Sequence, residues 1–510
     1  MNVLNGITPR SIDEAVLFPF DAQSIPFQRD LILNLQSGRT NKAEMDCGHN
    51  IDMDDWHPEG PVLTHGPPGS LDSTEILCPQ VFFIDGEYRM WYTGAGDDRK
   101  RREGLYATSK DGLNWERPIL GLTEVNGGKQ NNKVAGPCGE WVMYDPEDPD
   151  PKCRFKSLFY SGSGAMRAST SFSADGLHWE RATENGDLFG TGIEAGNICK
   201  WGDCYYINGQ GGPSPMNRPI PHPIKNASKR IVVTFASYDF INWTHAAAMS
   251  LRRRTIPPRP PESFDGHSGE QIHEGVATWN RGNLLVGLYG QYRSPSNDRR
   301  DVILDLGFAI SHDALHFTEP IPGFKMVHSY EIRGPHYDCF VAPSLIQRNA
   351  WANIGDRTVY WYSIWREESS TWTAANPRSM TGVWVATWER DCFGWIAPCP
   401  RNYGSQAGEH IPHCISCPVE LEGEGKKLYV NADRLDGHSE LKVEIVDKQF
   451  RPVPGYSGDD CIPVSESGLR QQVKWKNKEV LEKFDHPIRV QVTWGGLRLE
   501  DPRLFALYLS

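Results

Sequence analysis

The sequence has no excess of positive charge, no long apolar run and little helical periodicity. Lys and Arg number 53 against 65 Asp and Glu, which gives a formal net charge of −12. A polyanionic partner needs a basic face, so this composition speaks against nucleic acid binding. No apolar segment approaches the length of a membrane span, which speaks against a membrane protein. The weak helical pattern leaves β-strands as the expected main element.

The sequence also shows no pattern typical of a disulfide framework or of a secretory signal. The 12 cysteines are scattered, and Cys78, Cys199, Cys204 and Cys339 lie within apparent strands. Reduced thiols that pack as small hydrophobic groups fit this distribution better than a disulfide framework. The N-terminal residues show no basic stretch followed by an apolar core, so no secretory signal is expected. We therefore predict a cytoplasmic protein.

The chain does contain a short phrase that recurs five times. Its clearest copies read Ser-x-Asp-Gly-Leu-x-Trp, at Ser109–Trp115 and Ser173–Trp179. Variants follow at 237–243 and 311–317, and a degraded copy lies at 387–395. A long period with several short strands in each repeat is typical of radial or stacked repeats. Five copies predict the five blades of a β-propeller.

The first repeat shows how each blade is expected to form. A strand over Pro79–Ile84 is followed by a tight Asp-Gly turn and a partner strand over Tyr88–Tyr92. After about residue 412 the repeat stops, and segments such as Leu441–Val446 alternate polar and apolar residues at period two. That alternation is typical of a β-sandwich. The predicted fold class is all-β, a five-bladed β-propeller followed by a C-terminal β-sandwich.

Three regions are predicted from this pattern. Residues 1–70 form an N-terminal segment that packs on the propeller, 71–411 form the propeller, and 412–510 form the sandwich. We favour a packing role for the sandwich over independent carbohydrate binding. A compact group of His410, His413, Cys414 and Cys417 lies at the predicted boundary between the propeller and the sandwich. Ordinary linker packing is favoured there over a structural zinc site, which usually needs ligands from two separate elements.

A propeller brings its innermost strands around one axis, so acidic residues early in those strands should converge. Glu194 and Glu274 precede a hairpin glycine by the same spacing, Asp72 and Glu75 precede the first inner strand, and Asp338 precedes the fifth. Crowded and buried carboxylates give one protonated acid and one ionised base. Glycosidic bond cleavage needs such a pair. Turn capping is the alternative for each of these residues.

The segment 192–212 carries a resemblance to a known family. Its glutamate, small pair, apolar strand, turn and Tyr-Tyr pair resemble the acid-bearing strand of glycoside hydrolase family 43 and of families 32, 62 and 117. The resemblance implies that Glu194 is the general acid, Asp72 the base or nucleophile, and Glu274 or Asp338 a third acidic residue. The family 32 opening Trp-Met-Asn-Asp-Pro-Asn and the first-blade Asp-Pro of family 43 are absent. The whole layout looks like a group of glycosidase-like propellers with a C-terminal sandwich.

Further side chains near these acids are candidates for holding the substrate. The histidines are expected to bind sugar hydroxyls, to ligate an axial ion or water, or to hydrogen-bond in the funnel wall. Arg333 would pair with a substrate anion or with a neighbouring glutamate, and Trp56 would stack on a sugar ring or pack internally. The predicted substrate-binding residues are His267, His273, Arg333, His336, Glu75 and Trp56. No cofactor is predicted, with a divalent ion or water at the axis as the alternative.

The leading functional prediction is an exo-acting glycosidase that cleaves a terminal bond of a small saccharide or oligosaccharide. A glycoside phosphorylase or transglycosylase, or a lyase that acts on a uronic sugar, is the alternative among enzymes. A sugar-binding propeller without catalysis is the alternative outside them. The predicted partner is a saccharide, with no nucleic acid and no membrane, and a homo-oligomer is compatible with the sequence.

Overall fold

The computed structural model describes most of the chain, and it consists of strands, turns and two short 3-10 helices. The described residues are 2–3, 12–40, 60–96, 102–160, 168–183, 188–189, 193–211, 230–253, 269–294, 302–329, 344–365, 382–399, 411–423 and 425–510. The 3-10 helices are Pro151–Cys153 and Gly458–Asp460. Within these ranges there is no α-helix, and no helix could cross a bilayer. The predicted all-β fold class is confirmed.

Four short strands open the chain, and they are followed by five antiparallel units. The opening strands are β1 (Asn2–Val3), β2 (Ala15–Leu17), β3 (Phe27–Arg29) and β4 (Leu31–Leu35). The first unit holds β5 (Glu75–Ile84), β6 (Glu87–Ala95) and β7 (Arg102–Ser109). The second holds β8 (Trp141–Tyr144), β9 (Phe155–Tyr160), β10 (Ala168–Ser173) and β11 (Glu180–Arg181). The third holds β12 (Glu194–Trp201), β13 (Cys204–Gly211), β14 (Ile231–Ser237) and β15 (Ala248–Leu251).

The last two units share one sheet, because β18 and β20 join through a single parallel pair. The fourth unit holds β16 (Gly269–Asn280), β17 (Leu285–Ser294), β18 (Ile303–Ser311) and β19 (Lys325–Val327). The fifth holds β20 (Ser344–Ile346), β21 (Trp351–Ile354), β22 (Arg357–Trp365) and β23 (Val383–Glu389). Both β20 and β21 pair with β22, so together they form one interrupted inner strand.

The units close into a ring in the manner of propeller blades. The inner strands β5, β8, β12 and β16 lie against one another in order, and β22 of the fifth unit lies against β5 of the first. Residues that precede the first unit in the sequence add to the sheet of the fifth unit, since Leu63 pairs with Val383 and Arg39 pairs with Thr387. Backbone hydrogen bonds at these isolated bridges join chain segments that precede the first unit to the last unit and so help to close the ring.

The recurring phrase folds into the same turn in its first four copies. In the first copy the Ser109 hydroxyl accepts the Gly112 N–H at 2.8 Å, and Asp111 Oδ1 accepts the Leu113 N–H at 2.9 Å. The residue at the Gly112 position has a positive φ even where it is not glycine, as in Phe240 (φ 63°). Side-chain oxygens that bind nearby backbone N–H groups favour turns. The phrase is therefore a turn that follows the third strand in each of the first four units.

The degraded fifth copy has a different role. The Asp391 carboxylate forms a buried ion pair with Arg281 of the fourth unit, where Nη1 donates to Oδ1 and Nη2 donates to Oδ2 at 3.1 Å. The hydroxyl of Tyr508 donates to Asp391 Oδ2 at 3.0 Å. The fifth repeat thus links the propeller to the C-terminal part of the chain.

The C-terminal strands form a sandwich of two six-stranded sheets. The strands are β24 (Gly394–Pro398), β25 (His413–Ile415), β26 (Val419–Glu420), β27 (Leu428–Asp433), β28 (Ser439–Asp447), β29 (Cys461–Ile462), β30 (Gly468–Gln472), β31 (Lys474–Trp475), β32 (Ile488–Gly496) and β33 (Arg503–Leu509). One sheet combines β25, β26, β28 and β32 with β1 and β3, and the other combines β24, β27, β30 and β33 with β2 and β4. The strands β29 and β31 form a separate two-stranded sheet. Buried aliphatic side chains fill the space between them.

The opening strands thus pair within the sandwich, while Leu63 and Arg39 pair with the fifth blade. The boundaries 1–70, 71–411 and 412–510 stay a prediction. Cys414 and Cys417 are buried in the core between the two sandwich sheets, and His413 Nδ1 lies 3.0 Å from the Ile411 carbonyl. His410 lies outside the described residues.

Candidate active site at the propeller axis

The inner strands β5, β12 and β16 each carry a β-bulge near their start. In two of these bulges a side chain sits on left-handed backbone, at Cys78 (φ 58°) and Glu274 (φ 55°). Such backbone costs free energy and is concentrated at functional sites. A Cβ on Gly196 would lie 2.0 Å from the Gly275 nitrogen, so the bulges of β12 and β16 pack backbone against backbone. The bulges therefore set the positions of nearby side chains such as Glu194 and Glu274.

Glu274 of the fourth unit forms a buried ion pair with Arg348 of the fifth. Arg348 Nη2 donates to Oε1 at 3.1 Å, and Nη1 donates to both Oε2 and the Gln347 carbonyl. Burial raises the pKa of Glu274 above its ordinary value, and the Arg348 guanidinium opposes that shift. The bidentate contact fixes both side chains rigidly.

Glu194 opens β12 in the third unit and is only half-buried. Its Oε2 accepts a hydrogen bond from Gln210 Nε2 at 2.7 Å, and Gln210 Oε1 accepts the Glu274 N–H at 3.2 Å. Gln210 therefore ties the two glutamates together. They lie on inner strands of neighbouring units, but their register differs, because Glu194 pairs with Gln210 in the ladder while Glu274 lies in the bulge.

The first and second units supply the other side of the site. Arg102 holds Glu75 through two contacts, Nε to Oε2 at 2.9 Å and Nη2 to Oε1 at 3.0 Å. Glu140, which directly precedes β8, lies between two guanidinium groups. Its Oε1 is 3.5 Å from Arg102 Nη1, and its Oε2 is 3.7 Å from Arg348 Nη2. These longer contacts leave Glu140 less tightly bound than Glu75 or Glu274.

All five units thus contribute a charged side chain to one group, which we call the axial cluster. Its members are Glu75, Arg102, Glu140, Glu194, Glu274 and Arg348. Four carboxylates face two guanidinium groups, and each guanidinium is already held by two contacts to one glutamate. Glu140 and Glu194 are both half-buried and are the two carboxylates that these bidentate pairs do not occupy. They are the members best suited to contact a substrate.

Two neighbouring groups support the cluster without being reactive themselves. Burial raises the pKa of the Cys78 thiol, whose Sγ lies 3.9 Å from Glu140 Oε2. Burial also raises the pKa of Tyr160, whose hydroxyl donates to the Ile193 carbonyl and accepts the Ala195 N–H, each at 2.9 Å. Tyr160 therefore fixes the start of β12, from which Glu194 projects.

Asp72 is placed within the first unit. Oδ1 accepts from the Ser70 hydroxyl at 2.9 Å, and Oδ2 accepts from Tyr92 Oη at 2.8 Å and from Arg117 Nε at 2.7 Å. The residue is almost fully buried, and its contacts with described residues connect it to this unit and not to the axial cluster. These hydrogen bonds hold the carboxylate in place within the first unit. The role of Asp72 as base or nucleophile stays a prediction.

The remaining predicted site residues divide between described and undescribed parts of the chain. Asp338, His267, Arg333, His336 and Trp56 lie outside the described residues. Glu75 belongs to the axial cluster. His273 lies beside it, and one ligand atom each of His273, Glu194 and Glu274 fall within 4.8 Å of one another. The Arg348 guanidinium already binds Glu274, and its positive charge disfavours a metal ion at this position. The expectation that the protein needs no cofactor stays a prediction.

Sequence reasoning missed Glu140, Arg102, Gln210 and Arg348. A signal existed for Glu140, because it stands immediately before an inner strand, close to the equivalent positions of Glu75 and Glu194, which open theirs. The two arginines and Gln210 lie on or beside strands with ordinary composition. Only the ring brings them together, so no local pattern could have identified them.

Comparisons with known proteins give structural likeness only. No protein-family model and no curated protein matches the chain. It is similar to a solved structure from work on mannoside phosphorylases and hydrolases of glycoside hydrolase family 130, with 16% identity, 69% of this chain and 97% of that chain covered, and a TM-score of 0.40. A glycosyl hydrolase from Bacteroides ovatus matches with 14% identity, 70% and 94% coverage, and a TM-score of 0.38. A thermostable family 43 glycoside hydrolase matches with 15% identity, 63% and 91% coverage, and a TM-score of 0.37.

Proposed function

We propose that the protein hydrolyses a glycosidic bond of a small saccharide or oligosaccharide at the propeller axis. The observation that carries the proposal is the axial cluster, which contains two half-buried carboxylates with different partners. Glu194 accepts a hydrogen bond from the neutral amide of Gln210, whereas Glu140 lies beside the guanidinium groups of Arg102 and Arg348. Two carboxylates with different surroundings are the chemical requirement of glycoside hydrolysis.

Glu194 is the proposed general acid. Its Oε2 accepts a hydrogen bond from the neutral amide of Gln210, and neither of the two guanidinium groups of the axial cluster forms an ion pair with it in the described structure. In the reaction it gives a proton to the glycosidic oxygen as the bond to the anomeric carbon breaks. The leaving alcohol departs neutral, and Glu194 remains as a carboxylate.

Glu140 is the proposed second carboxylate. Arg102 and Arg348 lie 3.5 Å and 3.7 Å from its oxygens, so it is well placed to act as an anion. It removes a proton from a water that attacks the anomeric carbon, or it attacks that carbon itself and forms a glycosyl ester. In the second case a water, deprotonated by Glu194, then hydrolyses the ester and releases the sugar and the Glu140 carboxylate. This assignment replaces Asp72, which is already hydrogen-bonded within the first unit. Glu274 and Arg348 are proposed to hold the geometry.

A phosphorylase is less well supported. Phosphate needs free cationic donors, whereas Arg102 is held by Glu75 and Arg348 by Glu274. The competing reaction is tested by adding inorganic phosphate to the assay. Release of a sugar phosphate instead of free sugar would favour the phosphorylase.

The decisive experiment is a screen of aryl glycosides, pyranosides and furanosides, against the intact chain and four variants. Glu194→Gln and Glu140→Gln are each expected to lower kcat by about a hundredfold or more, while Glu180→Gln on an exposed outer strand keeps wild-type turnover. Azide should restore turnover to Glu140→Ala, because it replaces the missing anion. Turnover that survives both glutamine substitutions would refute the assignment. Sugar binding with no turnover of any glycoside by the wild type would favour a non-catalytic propeller.

A further inference from the structure

The sandwich carries a distinct row of side chains on the outer face of one sheet. The register pairs Phe27 of β3 with Ile415 of β25, Ile415 with Gln491 of β32, and Gln491 with Glu444 of β28. Residues directly opposite one another in neighbouring strands lie on the same face. Along β28 and β32 buried residues alternate with these partly exposed ones, so the row faces away from the sandwich core.

Two phenylalanine rings stand over this face. Phe27 and Phe450 are each 45% exposed, and their ring centroids are 5.3 Å apart at an interplanar angle of 86°. Phe450 lies in the turn after β28 with φ 65°, a left-handed backbone that is costly for a bulky side chain. Glycine would adopt that φ without strain. The exposed ring is therefore kept at a conformational cost, and such strain is characteristic of functional positions.

Arg489 fixes the two rings in place. Its guanidinium carbon lies 4.8 Å from the Phe450 centroid and 5.5 Å from the Phe27 centroid, and Nη1 donates to the Ser416 carbonyl at 3.0 Å. Cations are attracted to aromatic faces in this way. Beside the rings, Gln491 Nε2 donates to Glu444 Oε2 at 3.3 Å. Rigid aromatic surface and polar groups thus adjoin one another on a sheet face.

We propose that this surface, formed by Phe27, Phe450, Arg489, Gln491 and Glu444 and called here the sandwich platform, binds a neutral polysaccharide chain. The C–H faces of sugar rings pack against aromatic rings, whose faces are negative, and sugar hydroxyls bind amide, carboxylate and guanidinium groups. A stable protein partner would need roughly 800 Å² of interface on this side with an apolar centre. Two rings among polar side chains fit a sugar chain better. The proposal is independent of the axial chemistry.

The test is affinity electrophoresis of the intact chain in native gels that contain mannan, xylan, arabinan or mixed-linkage β-glucan. At least one of these neutral polysaccharides should retard the wild type. Phe450→Gly and the double variant F27A/F450G should weaken that binding about tenfold or more. Leu497→Ala is the matched control, because this 83% exposed residue follows the same strand β32 but lies outside the platform.

The outcomes separate the platform from the axial site. Phe450→Gly relieves the strained backbone, so it should fold normally, which circular dichroism checks. The proposal is wrong if none of the four polysaccharides retards the wild type, if F27A/F450G is retarded as strongly as the wild type, or if L497A loses binding equally. Loss of dimerisation in the variant, measured by size exclusion, would assign the rings to a second copy instead. Turnover of small aryl glycosides by F27A/F450G should equal that of the wild type.

Discussion

Replacing Arg348 by methionine tests whether the axial ion pair stabilises the propeller. The Arg348 and Glu274 side chains are 1% and 8% exposed, so the substitution would leave a carboxylate buried without its cation. Breaking a buried pair from one side costs about 3 to 5 kcal/mol of unfolding free energy. Arg89 and Asp85 provide a matched control with the same 3.1 Å contact from Nη2, but Asp85 is 80% exposed. Arg89→Met should cost about 0 to 1 kcal/mol.

The pH dependence of this effect has a definite sign. Burial already raises the pKa of Glu274, and loss of Arg348 removes the group that opposes the shift. A carboxyl with a folded pKa above its unfolded value binds more protons in the native state, so its stabilising effect is full at low pH. That contribution is lost as pH rises through the folded pKa. Arg348→Met should therefore be least stable at neutral pH and regain stability on acidification towards the unfolded value.

Urea unfolding at pH 5 and pH 7.5, followed by tryptophan fluorescence, measures both effects. The double variant E274Q/R348M removes the orphaned charge and should recover most of the loss at pH 7.5. If Arg348→Met were no more destabilising than Arg89→Met, or were equally destabilising at both pH values, the account of a buried and mutually dependent pair would be refuted.

Three further predictions follow from individual positions. Gly196→Ala should prevent correct folding, because its Cβ would meet the Gly275 nitrogen at 2.0 Å, whereas Gly60→Ala, with nothing within 4 Å, should be soluble and folded by circular dichroism. Burial would raise the pKa of Asp175, but hydrogen bonds from its turn hold that pKa at about 2. In an acid titration the wild type should therefore lose stability below about pH 4, and Asp175→Asn should lose less. Burial raises the pKa of the Cys78 thiol, so mass-spectrometric tagging at pH 7 should modify it only after unfolding.

Local chemistry made the blades predictable from the sequence. The Ser-x-Asp phrase encodes its own turn, since Ser109 and Asp111 bind N–H groups only a few residues away. The alternation in β28 and β32 likewise encodes which side faces the sandwich core. Such signals survive in isolated segments because the partners are near in sequence.

The axial cluster depends instead on closure of the ring. Arg348 reaches Glu274 across 74 residues of sequence, and nothing beside either residue indicates the other. Asp72 shows the same dependence, because its position before the first inner strand does not indicate its hydrogen-bond partners Tyr92 and Arg117. The side on which a residue lies was predictable, but the identity of its tertiary partners was not.

The pairing of β2 with β33 has a consequence for biosynthesis. Ala15 meets Leu509 and Leu17 meets Leu507, so β2 must wait for a strand that is made much later. At about 5 to 20 residues per second that delay is roughly 25 to 100 s. During this interval the apolar strand Ala15–Leu17 lacks its ladder partner, and until Asn283 is made it also lacks the side chain that holds the Val16 backbone by two hydrogen bonds of 3.0 Å. It is therefore a natural target for a chaperone that binds nascent chains.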